Sequence, residues 1–274
     1  MSVTFTRVLA IAATTDTDAA PKSLLTLGTA NPKVGKGEKR GYRTAIMHLS
    51  PANLAGFEVC AGRTVGCTAA CLNTAGRGSM DTAKPSAIHV ARLRRTKLFK
   101  RDRVKFGLML EAEITRHLAA AKRANLIPVV RLNGTSDLPW ENVRFTWRDG
   151  STSTVFARFS TVQFYDYTKV IARLRKPIPA NYDLTFSLAD GNDADADEAI
   201  ALGFRVAAVF GNTDPDDKTR YWALPTEYLS APVIDADETD LRFLDAPGVV
   251  CGLRAKGLAK TDTTGFVKFV NQEG

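Results

Sequence analysis

Apolar positions are unevenly distributed along the chain. Residues 14–41 are mostly small and polar, punctuated by Pro21, Pro32 and a Lys/Gly run of Lys33, Gly35, Lys36, Gly37, Lys39, Arg40 and Gly41. Apolar character returns over residues 42–49, a candidate first strand. Strong helix formers dominate from 85 to 125, and Val104, Leu108, Leu110, Ile114, Leu118 and Ala121 recur at an imperfect helical spacing. The pattern predicts two helices, 85–100 and 102–124, with Asp102 as the N-cap of the second.

Beyond residue 125 the texture changes to short apolar runs at 127–132, 161–165, 183–187, 205–210, 232–235 and 248–253. Most are continuous rather than alternating, as expected of strands covered on both faces. The gaps at 167–175, 194–202 and 238–244 have room for a helix or an ordered loop. Strands separated by crossovers predict a parallel α/β sheet. About seven strands suffice for a full or partial barrel, and a doubly wound sheet is the alternative. In either architecture function gathers where strands end. Here those ends carry Asn133-Gly134-Thr135-Ser136-Asp137, Tyr165-Asp166-Tyr167-Thr168-Lys169, Ser187, Gly211-Asn212, Asp235-Ala236-Asp237 and Arg254-Ala255-Lys256-Gly257. Each cluster alone reads as turn and cap residues, but their recurrence at successive strand ends points to a shared polar pocket.

With 274 residues, 45% of them hydrophobic, the chain can bury a real core. The formal net charge of +8 leaves nucleic acid and anionic small molecules open as partners. That charge is divided. Residues 84–131 carry thirteen Lys/Arg against three acids, whereas 189–245 carry fourteen acids against four basic residues. Arg92, Arg94, Arg95, Lys97, Lys100, Arg101, Arg103 and Lys105 form a candidate basic ridge for a phosphate backbone. The competing reading is a solvated face balanced by the acidic half. The apolar run at 8–13 falls short of a signal-peptide core and far short of the ~18 apolar residues of a membrane span. The expectation is a cytoplasmic protein with no membrane partner.

Of four cysteines, Cys60, Cys67 and Cys71 fall within twelve residues and Cys251 stands apart. In a reducing compartment such a cluster is more often a metal or catalytic site than a disulfide framework. Cys67 and Cys71 are four apart, so one helical turn aims both thiols the same way. Gly62 and Gly66 give the loop from Cys60 the freedom to fold back. Three converging thiolates suit an iron–sulfur cluster, with zinc second because paired Cys-x2-Cys spacing is missing. Cys251 is either a fourth ligand or a small buried hydrophobe.

A cysteine-bearing loop directly after the first strand of an α/β chain of this length resembles the radical S-adenosylmethionine superfamily. That resemblance implies a partial (β/α)6 TIM-like barrel over residues 42–274, preceded by an N-terminal extension at 1–41. It also implies a [4Fe–4S] cluster on Cys60, Cys67 and Cys71, with S-adenosylmethionine at the open iron. The spacing differs from the superfamily's usual Cys-x3-Cys-x2-Cys, being Cys-x6-Cys-x3-Cys here, and Asn133-Gly134-Thr135 stands where Gly-Gly-Glu is usual. From about Met47 onward the chain also resembles a group of bacteriophage proteins. The matching stretches are Cys71-Leu-Asn-Thr-Ala-Gly-Arg-Gly78, Arg131-Leu-Asn-Gly-Thr-Ser-Asp137, Phe164-Tyr-Asp-Tyr-Thr-Lys169, Leu184-Thr-Phe-Ser187, Asp240-Leu-Arg-Phe-Leu-Asp245 and Gly252-Leu-Arg-Ala-Lys-Gly257.

For an enzyme of this kind, Asn133, Ser136, Ser187 and Arg254 are the expected cofactor-binding residues. Asp137, Asp166, Lys169 and Lys256 are the expected catalytic ones. Asp137 or Asp166 would accept a proton, and Lys256 or Arg254 would suit an anionic substrate. The alternative is a phage nucleic-acid-binding protein with a structural cluster and the basic ridge on phosphates. Among the histidines, His48 lies nearest the cysteine loop in sequence, and His117 reads as a helix-surface residue. Asp193, Asp195 and Asp197 read as a solvated helix start, because no calcium-loop Gly and Glu follow at the required offsets.

Overall fold

A computed structural model describes residues 16–27, 35–74, 86–213, 219 and 221–270. The apolar run at 8–13, Pro32, Lys33, Lys84, residues 75–78 of the first family-like stretch, the predicted helix start at Pro85, Lys218 and Arg220 lie outside them. The protein is a mixed α/β structure built on a large, mostly parallel sheet.

The strands are β1 (Leu25–Leu27), β2 (Tyr42–Met47), β3 (Ile127–Arg131), β4 (Arg144–Thr146), β5 (Thr152–Thr154), β6 (Gln163–Thr168), β7 (Tyr182–Ser187), β8 (Val206–Phe210), β9 (Glu227–Tyr228), β10 (Ala231–Asp235), β11 (Val250–Arg254) and β12 (Val267–Lys268). The helices are α1 (Val65–Ala69), α2 (Ala87–Arg101), α3 (Arg103–Arg123), α4 (Val155–Arg158), α5 (Ile171–Leu174) and α6 (Asp193–Ala201). Sheet order is β1-β2-β3-β6-β7-β8-β11-β10-β9, with β12 also on β8 and β4-β5 forming a separate pair. The pairings β2–β3, β3–β6, β7–β8, β8–β11 and β10–β11 are parallel, whereas β1 and β9 join antiparallel. No closed barrel is formed by the strands described.

All seven expected strands are present as β2, β3, β6, β7, β8, β10 and β11, and both long helices lie within two residues of their expected limits. Asp102 caps α3 by accepting from the Lys105 amide at 2.8 Å. The buried stripe of α3 differs from the expected one. It runs Phe106, Leu110, Ile114, His117 and Ala121, while Val104 is 54% exposed. A spacing of four or three residues keeps these five on one face. His117 is therefore a core residue, 3% exposed, with Nε2 bonded to the Arg43 carbonyl at 3.1 Å, which corrects the surface reading. β1 falls inside the segment read as an extension, and its backbone is tied down by α3. The Glu113 carboxylate accepts from the amides of Leu24 and Leu25, each at 2.8 Å.

Two compact units divide the chain, which passes between them at 61/62, 71/72, 166/167, 177/178 and 183/184. The first comprises Met1–Ala61, Leu72–Asp166 and Ile178–Asp183. Its core is aromatic. Trp140 has no exposed surface and meets Phe99 edge-on at 5.1 Å and Phe106 face-on at 6.2 Å, and its indole N–H donates to Asn133 Oδ1 at 2.9 Å. The second comprises Gly62–Cys71, Tyr167–Pro177 and Leu184–Gly274. There β8 pairs with β11 along its length, while β7 and β12 share its other edge, β7 at Val206 and Ala207 and β12 at Val209 and Phe210.

Because Trp140 combines full burial with a satisfied N–H, Trp140→Ala should destabilise the protein by about 3–5 kcal/mol, measured by chemical denaturation. A loss under about 1 kcal/mol would contradict this core assignment.

Candidate functional site

In both units the cysteine-bearing stretch lies at the C-terminal ends of parallel strands. In the first unit Cys60 follows β2 and borders the loop after β3. A parallel bridge joins Cys60 to Asp137, and the Asp137 amide donates to the Val59 carbonyl at 2.8 Å. The Gly134 amide donates to the Met47 carbonyl at 2.9 Å, and Thr135 Oγ1 donates to the Leu49 carbonyl at 2.5 Å. Cys60 Sγ accepts from the Ala52 amide at 3.3 Å and lies 3.9 Å from the Thr135 carbonyl.

The expected cofactor-binding and acid–base residues here hold that loop in shape. Asn133 Oδ1 accepts from Ser136 Oγ, the Leu138 amide and the Trp140 indole, and its amide group donates to the Leu138 carbonyl. Asp166 is 1% exposed and accepts from the Asn133 amide at 2.7 Å, the Leu132 amide at 3.3 Å and the Tyr182 hydroxyl at 3.1 Å, with Arg131 Nε 3.8 Å away. His48 is half-buried, and its carbonyl accepts from Arg95 at 3.4 Å.

In the second unit residues 62–71 cross the ends of β6 and β7. A Cβ on Gly62 would lie 2.8 Å from Lys169 Cβ and 3.1 Å from its carbonyl, so only glycine permits this approach. Lys169 Nζ donates to Ser187 Oγ at 2.8 Å, which brings two expected site residues together. Cys67 lies on α1. Thr64 caps this helix, its hydroxyl accepting from the Cys67 amide at 3.1 Å. Asp190, just past β7, accepts from the Thr64 hydroxyl and from the Gly66 amide at 3.0 Å. Burial pushes the Asp190 carboxyl up, but the hydrogen bonds from Thr64, Gly66 and Cys67 outweigh it and hold the group below the usual carboxylate range.

Elsewhere in this unit Arg254 is buried and pairs with Asp235 at 2.8 Å and Asp237 at 3.4 Å, while exposed Lys256 reaches Asp237 at 2.6 Å. Cys251 has no exposed surface and packs with Ala207, Ala236 and Val249 inside the sheet. Burial pushes its thiol above the usual range, although Arg242 nearby pulls the other way. Of the two readings open for Cys251, this packing suits the buried hydrophobe. Cys60, Cys67 and Cys71 are half-buried, and none of the four forms a disulfide. Among the described residues no three His, Cys, Asp or Glu side chains stand together as a metal-holding group.

Much of the basic ridge on α2 is engaged by the protein itself. Arg94 donates twice to the Asp16 carbonyl, Arg95 to the Ser23 carbonyl at 2.7 Å, and Arg92 to Asn73. Lys97 bonds Thr17 at 2.6 Å, and the Asp18 carboxylate takes Lys97 and Arg101 at 3.3 and 3.6 Å. Arg103 lies over the Phe99 ring at 3.6 Å and Lys100 over Phe57 at 5.6 Å; Lys105 is exposed. Asp193, Asp195 and Asp197 open α6, as expected of a helix start.

Sequence reasoning missed Asp190, Thr64 and Asn73. Thr64 carried a usable signal, a cap-forming residue three before Cys67. Asp190 carried none, since it acts across more than 120 positions.

This arrangement defines an α/β protein whose cysteine-bearing loop and polar clusters lie at strand ends. Residues 23–269 match the gene product 88 family, and the chain belongs to that family of phage gene products. No curated protein and no solved structure matches it. No described helix is long and apolar enough to cross a membrane.

The differing environments of the cysteines predict their reactivity. In metal-free protein at pH ~8, near the ordinary thiol pKa, Cys60, Cys67 and Cys71 should alkylate while Cys251 stays unmodified until unfolding. Peptide mass spectrometry after iodoacetamide treatment checks this, and rapid labelling of native Cys251 would contradict it.

Proposed function

We propose that this protein is a phage iron–sulfur protein in which Cys60, Cys67 and Cys71 hold a [4Fe–4S] cluster at the mouth of a radical-S-adenosylmethionine-like partial barrel. The observation that carries this reading is the position of the cysteine-bearing stretch, after β2 and across the C-terminal strand ends. Support for the barrel comes from strand order, since β2, β3, β6, β7 and β8 follow one another in the sheet as in the chain. Beyond β8 the order turns back, with β11 ahead of β10 and β9. By chemistry alone the donor set suits the group, being three half-buried thiols with none in a disulfide, but among the described residues the three do not stand together as a metal-holding group. When bound, such a cluster supplies an electron at an iron open to S-adenosylmethionine.

The remaining roles follow from the chain's own residues. Lys169, bonded to Ser187, and exposed Lys256, which pairs with Asp237, are the cations proposed for an anionic small molecule. Asp137, half-buried beside Cys60, is the proton acceptor within reach of the loop. Asn133, Ser136, Asp166 and Arg254 shape the strand-end loops from behind. Phosphate-backbone binding by α2 has less support, because Arg92, Arg94 and Arg95 already donate to acceptors within the chain.

Anaerobically purified protein should be brown, bleach in air, and contain iron and sulfide in near-equal amounts. Single Cys60→Ala, Cys67→Ala and Cys71→Ala variants should lose most of that iron, and Cys251→Ala should keep it. Colourless or zinc-loaded wild type would overturn the cluster, and undisturbed cluster EPR on adding S-adenosylmethionine would overturn the cofactor.

A further inference from the structure

We infer that residues 16–18 mask a phosphate-binding face of α2, and that a nucleic-acid backbone is the partner that displaces them. Arg94, Lys97 and Arg101 stand three and four residues apart, so they share one face of the helix. At the helical rise they span about 10 Å, the reach of about three successive phosphates on one duplex strand. Arg92 and Arg95 are committed elsewhere, to Asn73 and to the Ser23 carbonyl, and take no part.

Oxygens of the masking segment stand where phosphate oxygens would. The Asp16 carbonyl accepts from Arg94 Nε at 3.0 Å and from Nη2 at 2.8 Å, one oxygen held in the fork of a guanidinium. Lys97 Nζ donates to Thr17 Oγ1 at 2.6 Å, and Arg101 Nη2 donates to the Asp18 carbonyl at 2.7 Å. The Asp18 carboxylate lies 3.3 Å from Lys97 and 3.6 Å from Arg101, and among the described residues it is the one carboxylate paired with these three cations. That of Asp16 turns back on its own segment, accepting from the amides of Asp18 and Ala19 at 3.0 and 3.1 Å. Three positive charges thus meet one paired carboxylate and several neutral acceptors. A phosphate oxygen, being charged, makes a stronger bond to each cation than a carbonyl or hydroxyl does.

The mask is built to leave without undoing the fold. Residues 16–24 contain no helix or strand. The Asp18 carboxylate is 67% exposed, so its ion pairs are weak and screened by salt. Thr17 is buried and seats the segment through its bond to Lys97. Farther along, Glu113 fixes the amides of Leu24 and Leu25, which keeps β1 in place when 16–18 lift away.

Anisotropy of a fluorescein-labelled DNA duplex of about 20 base pairs, titrated with full-length protein, tests the inference. Asp18→Ala should bind the duplex about fivefold more tightly than wild type, the worth of one or two exposed ion pairs. That affinity should fall steeply between about 50 and 200 mM salt, and adding Arg94→Ala and Arg101→Ala should lower the salt slope by about two. Inorganic phosphate at matched ionic strength should leave the duplex bound. In wild type, the duplex should speed amide exchange across residues 16–23 and slow it in α2. Four outcomes overturn the inference: no binding by Asp18→Ala at low salt, binding indifferent to the two arginine substitutions, displacement by inorganic phosphate, or binding that leaves exchange at 16–23 unchanged. In the last case the segment merely packs on α2. None of these bears on iron uptake, so the iron–sulfur reading stands or falls separately.

Discussion

Parallel strands end with backbone amides that the sheet no longer pairs, and in this protein carboxylates from distant parts of the chain take many of them up. Asp166 accepts from Leu132 and Asn133 and Asp237 from Arg254, and Asp190 likewise takes the Gly66 amide in the first turn of α1. Each is a charge-assisted bond, stronger than a neutral one, and each leaves a loop with one conformation rather than several. Buried backbone donors without partners cost about 1–3 kcal/mol, so a loop at a strand end needs such an acceptor or must stay in water. The cysteine loop and the Asn133 loop owe their shapes to this chemistry.

The same interaction explains the division of charge along the sequence. Some carboxylates of the acidic half are engaged inside the protein, whereas Asp197, Glu227 and Glu238 are exposed. Asp235 and Asp237 clamp buried Arg254, Asp245 pairs with buried Arg242 at 3.0 Å, and Glu198 takes exposed Arg175. On α2 the cations answer to carbonyls and carboxylates of residues 16–23. Charge here is spent on internal order, and even exposed Lys256 pairs with Asp237 at 2.6 Å.

The long elements were legible because their signals were local. Helical spacing and the Asp102 cap marked α2 and α3, and continuous apolar runs marked the seven larger strands. Strands of two or three residues, such as β1, β9 and β12, were not legible, because so few positions carry no period. His117 escaped because a histidine counts as polar in a pattern, whereas an acceptor such as the Arg43 carbonyl lets it be buried. The candidate site was legible as residue types at strand ends, but not as partnerships. Asn133 and Asp166 read equally well as ligands or as scaffolding, and their buried hydrogen bonds favour scaffolding. Asp190 could not be found at all, since neither its neighbours nor its spacing sets it apart from other acidic turn residues.

The central proposal is that Cys60, Cys67 and Cys71 ligate an iron–sulfur cluster. Amide hydrogen exchange on iron-free protein and on protein loaded anaerobically with iron and sulfide tests it most directly. The account predicts slower exchange after loading in the peptides that contain Cys60, Cys67 and Cys71, with the β2, β3 and β8 cores unchanged. Identical exchange across that stretch in both samples would contradict it.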